Sequence, residues 1–276
     1  MKTRIISGFV MAPLLVVLYL GGWWLWAAAL IISLMGAHEF CNGWNALDVK
    51  PSKPVIYVMT VAIYATTFIA AAMAASSSVP KYYVNMMLVA VWLFAAVAVS
   101  LIYGWKINER GAYDAAATAV TLVYIPLFTY HMVLIDMTDY PLFIWIVIIT
   151  AFGSDIFAYF TGYFLGKHKM APNLSPKKTV EGAVGGLVGS SLLAWLFGII
   201  FMKEMSIVCL LLGFFGGAAG MAGDLTASAF KRKMGIKDYG KLIPGHGGIM
   251  DRFDSVIFVA PVVYYAIVLM TGALSI

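Results

Sequence analysis

Between Ser228 and Ser255 the chain reads SAFKRKMGIKDYGKLIPGHGGIMDRFDS, 28 residues holding six Lys or Arg, three Asp and one His. Ammonium and guanidinium groups pair with phosphate oxygens, and hard divalent cations take carboxylate oxygens, so this mixture suits an anion and a metal together. Gly245-His246-Gly247-Gly248 offers a backbone that an anion can approach closely, because glycine carries no Cβ. Asp251 and Asp254 are three residues apart and share a face if they open a helix. Upstream, GKHKMAPNLSPKKTVEG presents Lys167, Lys169, Lys177 and Lys178 with Ser175, Thr179 and Glu181, stiffened by Pro172 and Pro176. The N–H groups of a helix starting beside lysines form a natural phosphate seat, and a plain basic loop is the alternative. Ser154-Asp155 lies inside an apolar run, where a carboxylate costs several kcal/mol unless it is paired or lines a wet cavity. Asp224 is expected near the end of its run, where the helix dipole is negative and a carboxylate is unfavourable unless a cation joins it.

Apolar runs must position these groups. Of 276 residues 62% are apolar and 11% charged, and the mean hydropathy is +0.91. A soluble domain carries about 25% charged residues, so a bilayer is the expected solvent. A span needs roughly 20 apolar residues. About nine such runs are predicted, near 5–20, 23–40, 54–75, 84–104, 113–135, 142–164, 183–202, 206–222 and 255–273. The predicted fold is an all-α integral membrane protein forming a single polytopic domain. Hydrophobic helices fill about 1–140, and a chemically richer half fills about 142–276.

Placing the N-terminus in the cytoplasm puts sixteen of the 18 Lys and Arg inside and leaves only Lys81 and Lys203 outside. That bias satisfies the positive-inside rule and places the C-terminus outside. The net charge of +5 and pI of about 9.1 then follow largely from topology and give no argument for nucleic acid. Cys41 and Cys209 fall on opposite sides, so no disulfide is expected. Trp23, Trp24 and Trp26 read as an interfacial belt, and Asp136 and Asp139 as a solvated outer loop. Glu39 either sits blandly at a helix end or faces the site. The small-residue runs at 182–191 and 213–223 read as close helix packing.

Positions 228–255 resemble the signature of the phosphatidate cytidylyltransferases of bacterial type. The match runs through Ser228, Lys231-Arg232, Lys237-Asp238, Gly240, Pro244, His246-Gly247-Gly248, Asp251-Arg252 and Asp254-Ser255. Ser154-Asp155 and the SPKKTVEG segment extend it over about 154–255. The resemblance implies transfer of the cytidylyl group of CTP to phosphatidate, giving CDP-diacylglycerol and pyrophosphate for phospholipid biosynthesis. It implies Mg²⁺, with room for a second cation, on Asp224 and Asp251, with Asp254 as a further ligand. Lys231, Arg232 and Arg252 are expected to act on phosphates. Lys167, Ser175, Lys177, Lys178, Thr179, Ser228, Lys237, His246, Gly247 and Gly248 are expected to bind substrate. A homodimer in the inner (cytoplasmic) membrane, its site facing the cytoplasm, is also implied. A CTP-dependent lipid kinase shares a weaker form of this motif. A transporter would instead show internal repeats and paired broken helices, which this sequence does not present clearly.

Overall fold

The structure is a computed structural model and describes residues 13–76, 79–106, 108–242 and 247–274. Its elements are α1 (Gly22–Trp44), α2 (Lys53–Ser76), α3 (Lys81–Tyr103), α4 (Ala112–Leu122) and α5 (Phe128–Asp136), followed by α6 (Phe143–Leu165). A hairpin of β1 (Lys169–Ala171) and β2 (Ser175–Thr179) then leads to α7 (Val180–Phe201), α8 (Ser206–Lys233) and α9 (Met250–Leu274). Among the described residues eight helical segments are long and apolar enough to cross a membrane, and the protein is an all-α, multi-pass membrane protein. The first expected span, near 5–20, lies mostly outside the described residues; 13–20 are helical. The chain divides into two compact units, one up to Asp139 together with Lys233–Arg252, the other Tyr140–Arg232 with the chain from Phe253 onward.

In the first unit polar side chains fix helices that lipid alone would not order, since hydrophobic burial does not distinguish a helix neighbour from a lipid tail. The fully buried Tyr64 shares a hydrogen bond of 2.8 Å with Ser33, and Trp26 Nε1 donates to its carbonyl at 3.2 Å. Tyr130 is joined to Thr66 and Thr67 at 3.0 and 3.1 Å. Asp114, in the first turn of α4, accepts from Gly111 N at 2.7 Å and from Lys50 N at 2.6 Å. Between α4 and α5 a π-turn, Val123–Leu127, carries the chain past Pro126, which cannot donate to the helical ladder. Asp136 is no solvated loop residue. It ends α5 and accepts from Gly22 N at 2.7 Å, supplying a partner for an N–H group that the start of α1 leaves open. Gly21 has φ +58°, and a Cβ there would stand 2.7 Å from Asp136 Oδ1, so both backbone and space require glycine.

In the second unit α6 and α7 pack backbone to backbone. A Cβ on Gly182 would lie 2.8 Å from the Ala158 carbonyl, and one on Gly186 would lie 2.8 Å from that of Ser154. The run on α8 behaves alike: a Cβ on Gly213 would stand 2.6 Å from Ser191 Cα. Ser190 Oγ donates to the Gly213 carbonyl at 2.9 Å. Cys41 and Cys209 are free. The stiff segment expected at 166–182 is the hairpin, and Thr179 caps α7 by accepting from Gly182 N at 3.1 Å. α8 runs to Lys233, so Asp224 lies within the helix and the dipole argument for it lapses. LTASAFKRK continues the helix with good helix formers, and Gly235, at φ +66°, follows as a left-handed stop.

Gly186→Ala should destabilise the protein by about 1–3 kcal/mol through overpacking. The check is a lower thermal midpoint in detergent; an unchanged midpoint would contradict so close an α6–α7 contact.

Candidate active site

A cavity of about 600 Å³ opens in the second unit between α6, the hairpin, α7 and α8. The hairpin contributes Lys169, Lys177, Lys178 and Thr179, while Asp155 comes from α6 and Asp224 from α8. Glycine makes this approach possible. A Cβ on Gly162 would press to 2.9 Å from Thr179 Oγ1, and one on Gly182 to 3.2 Å from Gly162 Cα. Strand pairing of Lys169 with Thr179 brings the first lysine of the cluster beside the last residues of β2. Glu181 holds the hairpin's base. It accepts from Lys167 N at 3.1 Å and His168 N at 3.2 Å, and meets His168 Nδ1 at 2.6 Å.

Asp224 forms an ion pair with Lys178, both about one-quarter exposed, and receives Ser228 Oγ at 3.5 Å. Asp155 lies within electrostatic range of Asp224 and Lys178. Asp254, buried on α9, lies within range of Asp224, Asp155 and Lys231, and its Oδ1 accepts from Ser255 N at 2.8 Å. Asp155 and Asp254 each lie within range of Asp224, so three carboxylates crowd together, and a cation among them would offset their mutual repulsion. The donors are all oxygens, which suits a hard ion. Among the described residues no three His, Cys, Asp or Glu form a ready-made metal cage. Mg²⁺ does not require one, since it is commonly held by one or two carboxylates with water and substrate phosphates. Arg232 Nε donates to the Leu174 carbonyl at 3.4 Å. Ser175 is half-buried on β2, and Lys167 joins the hairpin's base through its backbone.

The other compact unit holds the Gly-rich loop. Asp251 Oδ2 accepts from Tyr239 N at 2.8 Å and Gly248 N at 3.0 Å. Gly247 has φ +83°, and a Cβ there would stand 2.7 Å from that oxygen. Arg252 N donates to the Ile249 carbonyl at 3.0 Å, and Lys237 is exposed. His246 lies outside the described residues. Glu39 is tied to this loop and is not a bland helix-end residue: it accepts from Ile249 N at 3.1 Å and Met250 N at 2.9 Å. Lys169 and Asp155, singled out in the sequence for a basic loop and a costly buried carboxylate but not assigned a role, are both cavity residues. The hairpin register would have found the lysine, and the burial cost of Asp155 was already a signal.

Lys178→Ala should weaken binding of a nucleoside triphosphate about tenfold or more, the worth of one charge-assisted hydrogen bond. Titration calorimetry on the purified protein measures it, and unchanged affinity would place the anion elsewhere.

Comparison with known proteins places the chain in a family. The model of the Cytidylyltransferase family matches residues 2–270. The phosphatidate cytidylyltransferase of Bacillus subtilis (strain 168) is 37% identical over 180 residues, 64% of this chain and 67% of the relative. That of Synechocystis sp. is 48% identical over 124 residues, covering 44% of this chain and only 42% of the relative. That of Thermotoga maritima is 28% identical over 281 aligned residues, 99% of this chain and 98% of the relative. With the family model matched nearly end to end and the lysine- and carboxylate-lined cavity within that match, the chain belongs to the Cytidylyltransferase family.

Proposed function

We propose that this protein transfers the cytidylyl group of CTP to phosphatidate, giving CDP-diacylglycerol and pyrophosphate for phospholipid biosynthesis. The observation that carries the reading is the cavity in which Lys169, Lys177 and Lys178 meet Asp155 and Asp224 among membrane-spanning helices. These groups would supply cations for a triphosphate and carboxylates for its metal, with phosphatidate entering sideways from the lipid. The names of the bacterial relatives supply the substrates.

An oxygen of the phosphatidate phosphate attacks the α-phosphorus of CTP in line. A P–O bond forms to the lipid phosphate, and the bond from the α-phosphorus to the oxygen bridging it to the β-phosphate breaks. Pyrophosphate leaves with that electron pair. Phosphomonoesters lose their second proton near pH ~6, so the nucleophile needs no dedicated base. Alignment and charge neutralisation therefore carry the catalysis. Lys177 and Lys178 receive the β- and γ-phosphates and steady departing pyrophosphate. Lys231, Arg232 and Arg252 neutralise phosphates of either substrate. Thr179 lines the cavity, and the family resemblance adds Lys167, Ser175, Ser228 and Lys237 as substrate-binding residues, with Gly247 and Gly248 for close backbone approach. Asp224 and Asp251 would hold Mg²⁺, with Asp254 as a further ligand, and the ion would supply charge neutralisation between the reacting phosphates. The site faces the cytoplasm in the inner membrane of a bacterial cell, a reading supported by the positive-inside distribution of Lys and Arg. The chain pairs as a homodimer, as the family resemblance implies.

The direct test is radiolabelled CTP with purified protein in phosphatidate micelles, with Mg²⁺ or with EDTA. Metal-dependent CDP-diacylglycerol and pyrophosphate are expected. CDP release with a polyprenol acceptor, and no liponucleotide, would overturn the reading in favour of a kinase. Asp224→Asn and Asp251→Asn should each lower the rate at least about a hundredfold, the scale of losing one electrostatic contact to the transition state. Near wild-type turnover in either would remove that residue from the metal.

A further inference from the structure

Glu39 lies on α1, 210 residues from the segment it binds. It is buried, and its two carboxylate oxygens divide between two successive backbone donors, Ile249 N and Met250 N. Met250 is the first residue of α9, so Glu39 serves that helix as an N-cap delivered from another helix. The first N–H groups of any helix lack intrahelical partners, and a negative charge there is favoured by the helix dipole. The loop is shaped around this carboxylate. A Cβ on Gly240 or on Gly248 would collide with the Glu39 side chain, so only glycine lets both strands of the loop close on it. On the next residue of α9, Asp251 makes the reciprocal clasp, drawing Tyr239 N and Gly248 N onto one oxygen. Glu39 and Asp251 lie within electrostatic range of each other, and each is met by backbone donors.

We propose that Glu39 is a positioning residue for the transfer reaction, fixing the register of the first turn of α9 and thereby the placement of Asp251 and Arg252. The inference rests on the cytidylyl-transfer reading for what those residues do, while the clasp itself rests only on the geometry. Glu39 touches no reacting atom in this account. It acts by denying α9 the freedom to fray or slip at its start. A displacement of about 1 Å at a reacting group can cost about a hundredfold in rate.

The test compares wild type, Glu39→Gln and Glu39→Ala as purified full-length protein. One arm follows hydrogen–deuterium exchange of the segment containing Ile249 and Met250, with α6 and α7 as internal reference. The other follows CDP-diacylglycerol formation as Mg²⁺ is varied. In Glu39→Ala the loop amides should exchange at least about tenfold faster with the reference unchanged. Its rate should fall about tenfold to a hundredfold, with a higher Mg²⁺ concentration for half-maximal rate. Glu39→Gln keeps one acceptor oxygen and should fall between. A residue that only supports the fold would lower the yield of active protein and leave the Mg²⁺ midpoint in place. Unchanged exchange, or a Glu39→Ala rate within about twofold of wild type, would overturn the proposal. If Glu39→Ala does not fold, Glu39→Gln carries both arms, and Gly248→Ala, which pushes the loop off an intact Glu39, should reproduce its exchange pattern. Absence of liponucleotide from wild type would defeat the reaction reading, while the exchange arm would still judge the clasp.

Discussion

A carboxylate placed among membrane helices must find either a cation or a set of N–H donors, and the working parts of this protein are sorted by which it finds. Asp114, Asp136 and Glu39 accept from backbone N–H groups and thereby tie segments together. Asp155, Asp224 and Asp254 lie near one another and each within range of a lysine. A backbone N–H cannot leave its place without unfolding something, whereas a lysine on a long stem can exchange partners. Acids of the first kind hold the architecture, and acids of the second kind are free to trade one cation for another, which is what chemistry on phosphates demands.

Close packing makes the second arrangement possible. The glycines of α6, α7 and α8 bring backbones within reach of one another, so that Asp155, Asp224 and the hairpin's lysines open onto one cavity. In lipid such contacts depend on small side chains and fitted surfaces, because the surrounding tails are as apolar as the helices themselves. Pre-organisation of the charges is therefore a property of residues that carry no charge.

Much of this was legible in the residues. Run lengths located the eight spans among the described residues, and the density of charge from Lys167 to Lys178 pointed to a segment that lines the cavity. Hydropathy could not say where α8 ends, because Lys231, Arg232 and Lys233 are polar and also good helix formers. Composition could not separate a stiff loop from the Lys169–Thr179 hairpin, since strand pairing is a relation between residues and not a property of either. Asp136 and Glu39 were hardest. Each satisfies donors more than a hundred positions away, Gly22 for one and Ile249 and Met250 for the other, and nothing local marks such a partner.

That last separation bears on how the chain assembles. The bonds from Glu39 to Ile249 and Met250 join a helix to a segment synthesised 210 residues later. Contacts so distant along the chain close slowly and only after the intervening helices exist. The start of α9 therefore cannot be seated while the chain is still emerging. The clasp is completed only once α9 has been made, and a chain stalled before that point carries the cavity between α6 and α8 without it.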